Sequence, residues 1–190
     1  MRRQLLAFAV IALASTRAAA ADDATSPFEA KPTAVYAVFG RTPEGWMGAE
    51  VEQTLAPNAS VSAAAGWGLA GPQAAAMLRM LSGGERSKFT VGAGVSGGKY
   101  SWTEFCFDCD DLASKSGTVA WANVEIGGEH RFWSGFALRY FGGYGHIIAG
   151  ALACDDSPTA SPSAFDNCVR FHQDDGKNIV YTGIALGGAF

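Results

Sequence analysis

Ile179-Val180-Tyr181-Thr182-Gly183-Ile184-Ala185-Leu186-Gly187-Gly188-Ala189-Phe190 closes the chain and decides how it is read. Val180, Thr182, Ile184, Leu186 and Phe190 share one face. Between them stand Tyr181 and the small residues Gly183, Ala185, Gly187 and Ala189. A period of two belongs to an extended strand with two unlike faces, not to a helix.

The same period recurs upstream, broken by turn residues, and no helical period is sustained. Thr33–Arg41 places Ala34, Tyr36 and Val38 on its apolar face, with Arg41 opposite. Trp46–Leu55 sets Ala49, Val51 and Leu55 against Glu50 and Glu52. Ser60–Leu69 sets Val61, Ala63, Ala65 and Trp67 against Ser60, Ser62 and small residues. In Gln73–Leu81, Leu78 and Met80 oppose Met77 and Arg79. Its Ala, Met, Leu and Arg also favour a helix, but the flanking turns are too short for a change of architecture. Phe89–Lys99, Thr118–Gly128 and Ser134–Ile148 alternate in the same way, with Glu125 and Arg139 opposite the apolar faces. Glu129-His130-Arg131 reads as a short polar turn.

A tilted membrane strand needs about 9–11 residues, which these segments supply. With the N-terminus in the periplasm, the long stretches 101–116 and 149–177 both become outer loops, and the other side keeps short turns. Membrane barrels show this asymmetry. Bulk composition agrees: 48% hydrophobic and 17% charged residues, with 24 Gly, is apolar for a soluble domain yet gives no membrane helix after the N-terminus. Alternate lipid-facing residues account for both. The net charge of −4 excludes a basic footprint for nucleic acid. Residues 1–20 run from Met1-Arg2-Arg3 through apolar Leu5–Ala14 to small residues, the order of a cleaved export signal. A short periplasmic segment, 21–32, follows. The expected fold is all-β: a closed eight-stranded antiparallel up-and-down transmembrane β-barrel over 33–190, sealed by the last strand against Thr33–Arg41.

With these elements together, the chain resembles the small outer-membrane barrels typified by OmpX and the OmpA membrane domain. The resemblance is one of pattern over the whole mature chain. It implies that Thr182, Ile184, Leu186 and Phe190 form a C-terminal signal for the outer-membrane assembly machinery, reached with periplasmic chaperones. Gly188 stands where that pattern usually has a larger residue. The resemblance further implies a monomer integral to a Gram-negative outer membrane, among its lipids and lipopolysaccharide.

An eight-stranded barrel is just wide enough to be filled by side chains. Arg41, Glu50, Glu52, Arg79, Glu125 and Arg139, three of each sign, are expected to form a neutral interior network, because buried charges persist only when paired. Glu125 and Arg139, on adjacent strands, are the first pair expected. Such a plug disfavours a continuous water channel.

Cys106, Cys109, Cys154 and Cys168 fall in the two outer loops. In an exported chain they read as disulfides, with local pairs favoured over cross-pairing. Zinc at these thiols or calcium at the loop aspartates (Asp108, Asp110, Asp111, Asp155, Asp156) has less support, since no EF-hand order is present; no metal or cofactor is expected. The expected role is non-catalytic, structural or surface-interacting. The alternative is an outer-leaflet lipid A acylase or deacylase. His130 is expected at the periplasmic rim, His146 near the outer rim and His172 in a loop, with no clear His-x-Ser and carboxylate constellation. A soluble lipocalin-type barrel would need polar outer faces, which the mid-strand distribution of charge opposes.

Overall fold

The computed structural model describes residues 26–68, 71–103, 114–151, 153–154 and 177–190. The expected export signal, most of both long loops, Cys106, Cys109, Cys168, His172 and the loop aspartates lie outside the described residues. The elements are α1 (Pro27–Ala30), β1 (Thr33–Thr42), β2 (Gly45–Ala56), β3 (Ala59–Gly68), β4 (Gly71–Gly83), β5 (Ser87–Thr103), β6 (Ser114–Arg131), β7 (Phe136–Gly150), β8 (Ala153–Cys154) and β9 (Asn178–Ala189). From β1 to β7 each strand pairs antiparallel with the next, and β9 joins β7 to β1. Among the described residues the two-residue β8 pairs with Lys115 and Ser116 of β6. The fold is therefore a closed, eight-stranded, all-antiparallel up-and-down barrel.

The terminal strand makes the closure expected of it. Ala34 pairs with Ala189, Val38 with Ala185 and Arg41 with Thr182. The last rung is reciprocal: Thr33 N–H donates to the Phe190 carbonyl (3.1 Å) and Phe190 N–H to that of Thr33 (2.8 Å). A closed sheet leaves no edge of unpaired peptide groups, which is the condition for strands to cross hydrocarbon.

Residues facing outward form an apolar belt. Leu78, Met80, Val91, Val95, Val124, Ile126, Val180, Ile184 and Leu186 are all exposed. Trp46 and Trp67 stand near the outer end, and Trp133, Phe136 and Phe190 near the opposite end. An apolar band flanked by aromatic girdles is the surface of a transmembrane barrel. The inward faces carry Glu50, Glu52, Arg79, Glu125, Glu129, Arg131 and Arg139, all buried.

Two sequence expectations change here. In β1 the faces are reversed: Ala34, Tyr36 and Val38 are buried in the lumen, while Val35 and Phe39 face out. Both faces of this strand are apolar, so alternation alone does not orient it. The Tyr36 hydroxyl does, because it needs a hydrogen-bond partner and finds Glu129 at 2.7 Å. Arg41, in the bulge at the end of β1, is exposed at the mouth of the barrel, where its Nη2 reaches across to the Tyr100 hydroxyl of β5 at 3.2 Å. Arg41 is thus not part of the interior network. The second change is at Glu129-His130-Arg131, which is the end of β6 and not a turn. Ser87 pairs with His130 and Lys88 with Glu129, so the β5–β6 ladder continues to this point.

Helix α1 lies at the end of the barrel where β1 begins and β9 finishes. Phe28 is fully buried, and the Arg131 guanidinium lies 4.5 Å from its ring centroid. Arg131 Nη1 also donates to the Lys31 carbonyl at 2.8 Å. The segment before β1 is therefore folded against the lower mouth.

Candidate functional site

Four strands bring seven charged side chains into one alternating chain through the lumen. Starting at the end closed by α1, Arg131 Nε bonds Glu129 Oε1 at 2.6 Å and Arg131 Nη2 bonds Glu52 Oε1 at 2.9 Å. Glu52 Oε2 accepts from Arg139 Nη1 at 2.8 Å and from Arg79 Nη1 at 3.2 Å. Arg139 Nη1 and Nη2 hold the two oxygens of Glu50. Arg79 Nη1 reaches Glu50 Oε1 at 2.8 Å, and its Nε reaches Glu125 Oε1 at 2.9 Å. The order Glu129–Arg131–Glu52–Arg139–Glu50–Arg79–Glu125 has no like-charged neighbours in sequence along the ladder.

Strand period explains the placement. Glu50 and Glu52 are two apart on β2, and Glu125, Glu129 and Arg131 share parity on β6, so each set projects to one face. Arg79 on β4 and Arg139 on β7 enter from other walls. Uncharged groups complete the shell: Ser62 Oγ accepts from Arg79 Nη1 at 2.7 Å and Thr54 Oγ1 from Arg131 Nη1 at 3.1 Å. Tyr36 and Phe141 present their rings to the Arg139 guanidinium at 4.9 and 5.3 Å. Charge-assisted and bidentate bonds of this kind are the strong ones.

Of the six charges expected inside, Glu50, Glu52, Arg79, Glu125 and Arg139 meet in the ladder, and Arg41 does not. Glu125 takes Arg79 as its bonded partner, not Arg139. Glu129 and Arg131 were missed because three polar residues in a row read as a turn. Their signal was parity: Trp121, Asn123, Glu125, Gly127, Glu129 and Arg131 continue one alternating set.

Glu44 was also missed. It sits in the tight turn between β1 and β2, yet is only 3% exposed. Its Oε1 has no hydrogen-bond partner among the described residues. Burial, with the Glu50 carboxylate adding to it, pushes Glu44 up to about 7 from an ordinary 4.5. Glu44, Glu50, Glu52, Glu125 and Glu129 thus outnumber Arg79, Arg131 and Arg139, and the lumen is not the balanced set expected from sequence.

The histidines stand apart from this network. His130 Nδ1 meets Ser87 Oγ at 2.5 Å on the rim at the α1 end, a pairing sequence did not reveal. Among the described residues no carboxylate bonds that ring. His146 Nδ1 meets Asn178 Oδ1 at 2.7 Å on the outer surface. Cys154 is disulfide-bonded. Among the described residues no cluster of three or more His, Cys, Asp or Glu has the arrangement of a metal site.

The barrel has a counterpart among solved structures. The crystal structure of Acinetobacter baumannii CarO matches with a TM-score of 0.51, over 84% of this chain and 98% of that one. This chain has the fold of a small outer-membrane barrel. Identity to CarO is 10%, so the likeness is one of fold. No family model and no curated protein matches the sequence.

Proposed function

We propose that this protein is a non-catalytic integral protein of a Gram-negative outer membrane, with a lumen plugged by its own charges and a structural or surface-contact role. The observation that carries this reading is the uninterrupted ladder from Glu129 to Glu125. Seven mutually bonded side chains across an eight-stranded lumen leave little room for a solute path. The apolar outer belt supports the membrane placement. Thr182, Ile184, Leu186 and Phe190 then act as the terminal signal for the assembly machinery. The outer loops are the surface available for contact, and we assign their cysteines to the local disulfides Cys106–Cys109 and Cys154–Cys168. Among the described residues, His130 meets Ser87 and His146 meets Asn178, with no carboxylate bonded to either ring.

Two measurements test this. The protein should fractionate with the outer membrane and show a heat-modifiable gel shift; recovery in the soluble fraction would sink the membrane reading. Purified barrel in planar bilayers should give no stable unitary conductance in molar KCl. Regular single-channel steps would overturn the plug while leaving the membrane placement intact.

A further inference from the structure

The outer wall is not uniformly convex. A groove of about 800 Å³ runs over β4, β5, β6, β7 and β9. Leu78, Met80, Val124, Ile126, Tyr144 and Val180 stand along it, all outward-facing and exposed. Gly142 also lines it, and pairs with Ile126 on one side and Thr182 on the other.

Gly142 is the informative residue. Neither backbone conformation nor crowding calls for glycine there: a Cβ would meet nothing closer than the Tyr181 carbonyl oxygen at 3.7 Å. Glycine inside a strand weakens it. Here its effect is to leave open a space that a side chain would fill.

The outer end of the groove is polar. Tyr144, which lines it, donates its hydroxyl to Asn178 Oδ1 at 2.5 Å, and His146 Nδ1 meets the same oxygen at 2.7 Å. All three residues are exposed. With Oδ1 occupied twice, the Asn178 amide keeps its two N–H donors for another acceptor. Among the described residues His146 Nε2 also has no hydrogen-bond partner.

We propose that this groove and its polar crown bind one phosphorylated, multiply acylated glycolipid of the outer leaflet, of the lipid A type. The inference rests on the outer-membrane reading above and gives that surface a specific ligand. The acyl chains lie along Leu78, Ile126, Gly142 and Val180. A phosphate oxygen accepts from the Asn178 amide, beside the His146 ring. Width selects this occupant over a lipid with fewer chains. Five strands at about 4.8 Å spacing give a face roughly 20 Å across, more than a single chain covers. A volume of this size also lies in the range of pockets that enclose a defined ligand.

The test uses the full mature barrel in detergent, analysed by native mass spectrometry with purified lipid A or with phosphatidylethanolamine. Wild type should retain lipid A through gas-phase activation at least tenfold more than phosphatidylethanolamine. Gly142→Leu, which fills the groove, and Asn178→Ala, which removes the amide donors, should each cut that retention about tenfold. Ala49→Leu, outward-facing on β2 across the barrel from β6, should not. Heat modifiability checks that each variant is folded, and Asn178→Ala, an exposed change, serves if Gly142→Leu does not fold. Equal retention by wild type and Asn178→Ala would overturn the proposal. So would equal retention of the two lipids, or a stable dimer in place of the lipid adduct. A wild-type chain that never enters membranes would fail the earlier reading instead, which fractionation reports separately.

Discussion

The Arg139 guanidinium grips Glu50 from across the barrel, with its two terminal nitrogens on the two carboxylate oxygens. The pair is buried on both sides and joins β7 to β2, strands that are not neighbours in the sheet. It is therefore a cross-brace of the lumen and not a rung of the ladder of strands. Removing one member of a buried pair strands the other, at a cost of about 3–5 kcal/mol. Arg139→Met should lower the unfolding free energy of the heat-modifiable form, read by urea titration, by an amount in that range. Adding Glu50→Gln should cost much less than its effect in the wild-type background, with a coupling of at least about 1 kcal/mol. Additive effects would mean that the two groups do not act as a unit.

Glu44 gives the barrel a pH dependence of defined sign. Its acid form is favoured in the folded state up to about 7, against 4.5 ordinarily. Between those values the folded chain keeps a proton that the unfolded chain releases. The Glu44 contribution is thus neutral below about pH 4.5, erodes stability as pH rises to about 7, and is constant beyond. The loss amounts to about 3 kcal/mol across the window. Glu44→Gln should remove this part of the slope and raise the unfolding midpoint at pH 8 while leaving it nearly unchanged at pH 4.5. Parallel pH profiles for wild type and variant would count against a buried protonated Glu44.

The sequence revealed the strands more readily than the site, for a physical reason. Seven of the eight long strands have one charged or small face and one apolar face, so the lipid and the lumen could be told apart. In β1, Ala34, Tyr36 and Val38 alternate with Val35, Ala37 and Phe39, and hydrophobicity is silent about direction. Only the need of the Tyr36 hydroxyl for a partner breaks the tie. Arg131 and Glu129 were hidden by His130, whose polarity made a strand end look like a turn. Glu44 carries no local signal at all. A glutamate after proline in a tight turn reads as solvated, and only the closing of the barrel around it buries it.

The lower mouth should open when its apolar cap is removed. Phe28 is fully buried and stacks under Arg131, whose other bonds tie Lys31, Thr54, Glu52 and Glu129 together. Phe28→Ala should cost about 3 kcal/mol, the lower end for a buried phenylalanine because water can enter the mouth. A cysteine placed at Thr54 should then react faster with a small polar thiol reagent than in the capped barrel. Unchanged reactivity would show that α1 does not shield this end.

Gly142 and Gly143 are neighbours on β7 with opposite surroundings, and they should respond oppositely to the same change. A Cβ at Gly143 would run into the Tyr181 ring and the Val124 carbonyl oxygen. Those two groups are themselves joined, because the Tyr181 hydroxyl donates to that oxygen at 3.0 Å. The ring cannot withdraw without losing a buried hydrogen bond, so Gly143→Ala carries both steric strain and a broken bond, together about 2–4 kcal/mol. Gly142 faces the open groove, and Gly142→Ala should be neutral or slightly stabilising, by up to about 1 kcal/mol, because alanine narrows the unfolded ensemble. Urea titration of the two variants, followed by the gel shift of the folded form, separates these outcomes. A costly Gly142→Ala beside a neutral Gly143→Ala would mean that the inward and outward faces of β7 are assigned the wrong way round. That error would displace Arg139 from the lumen as well, so this single comparison also checks the strand orientation on which the interior ladder depends.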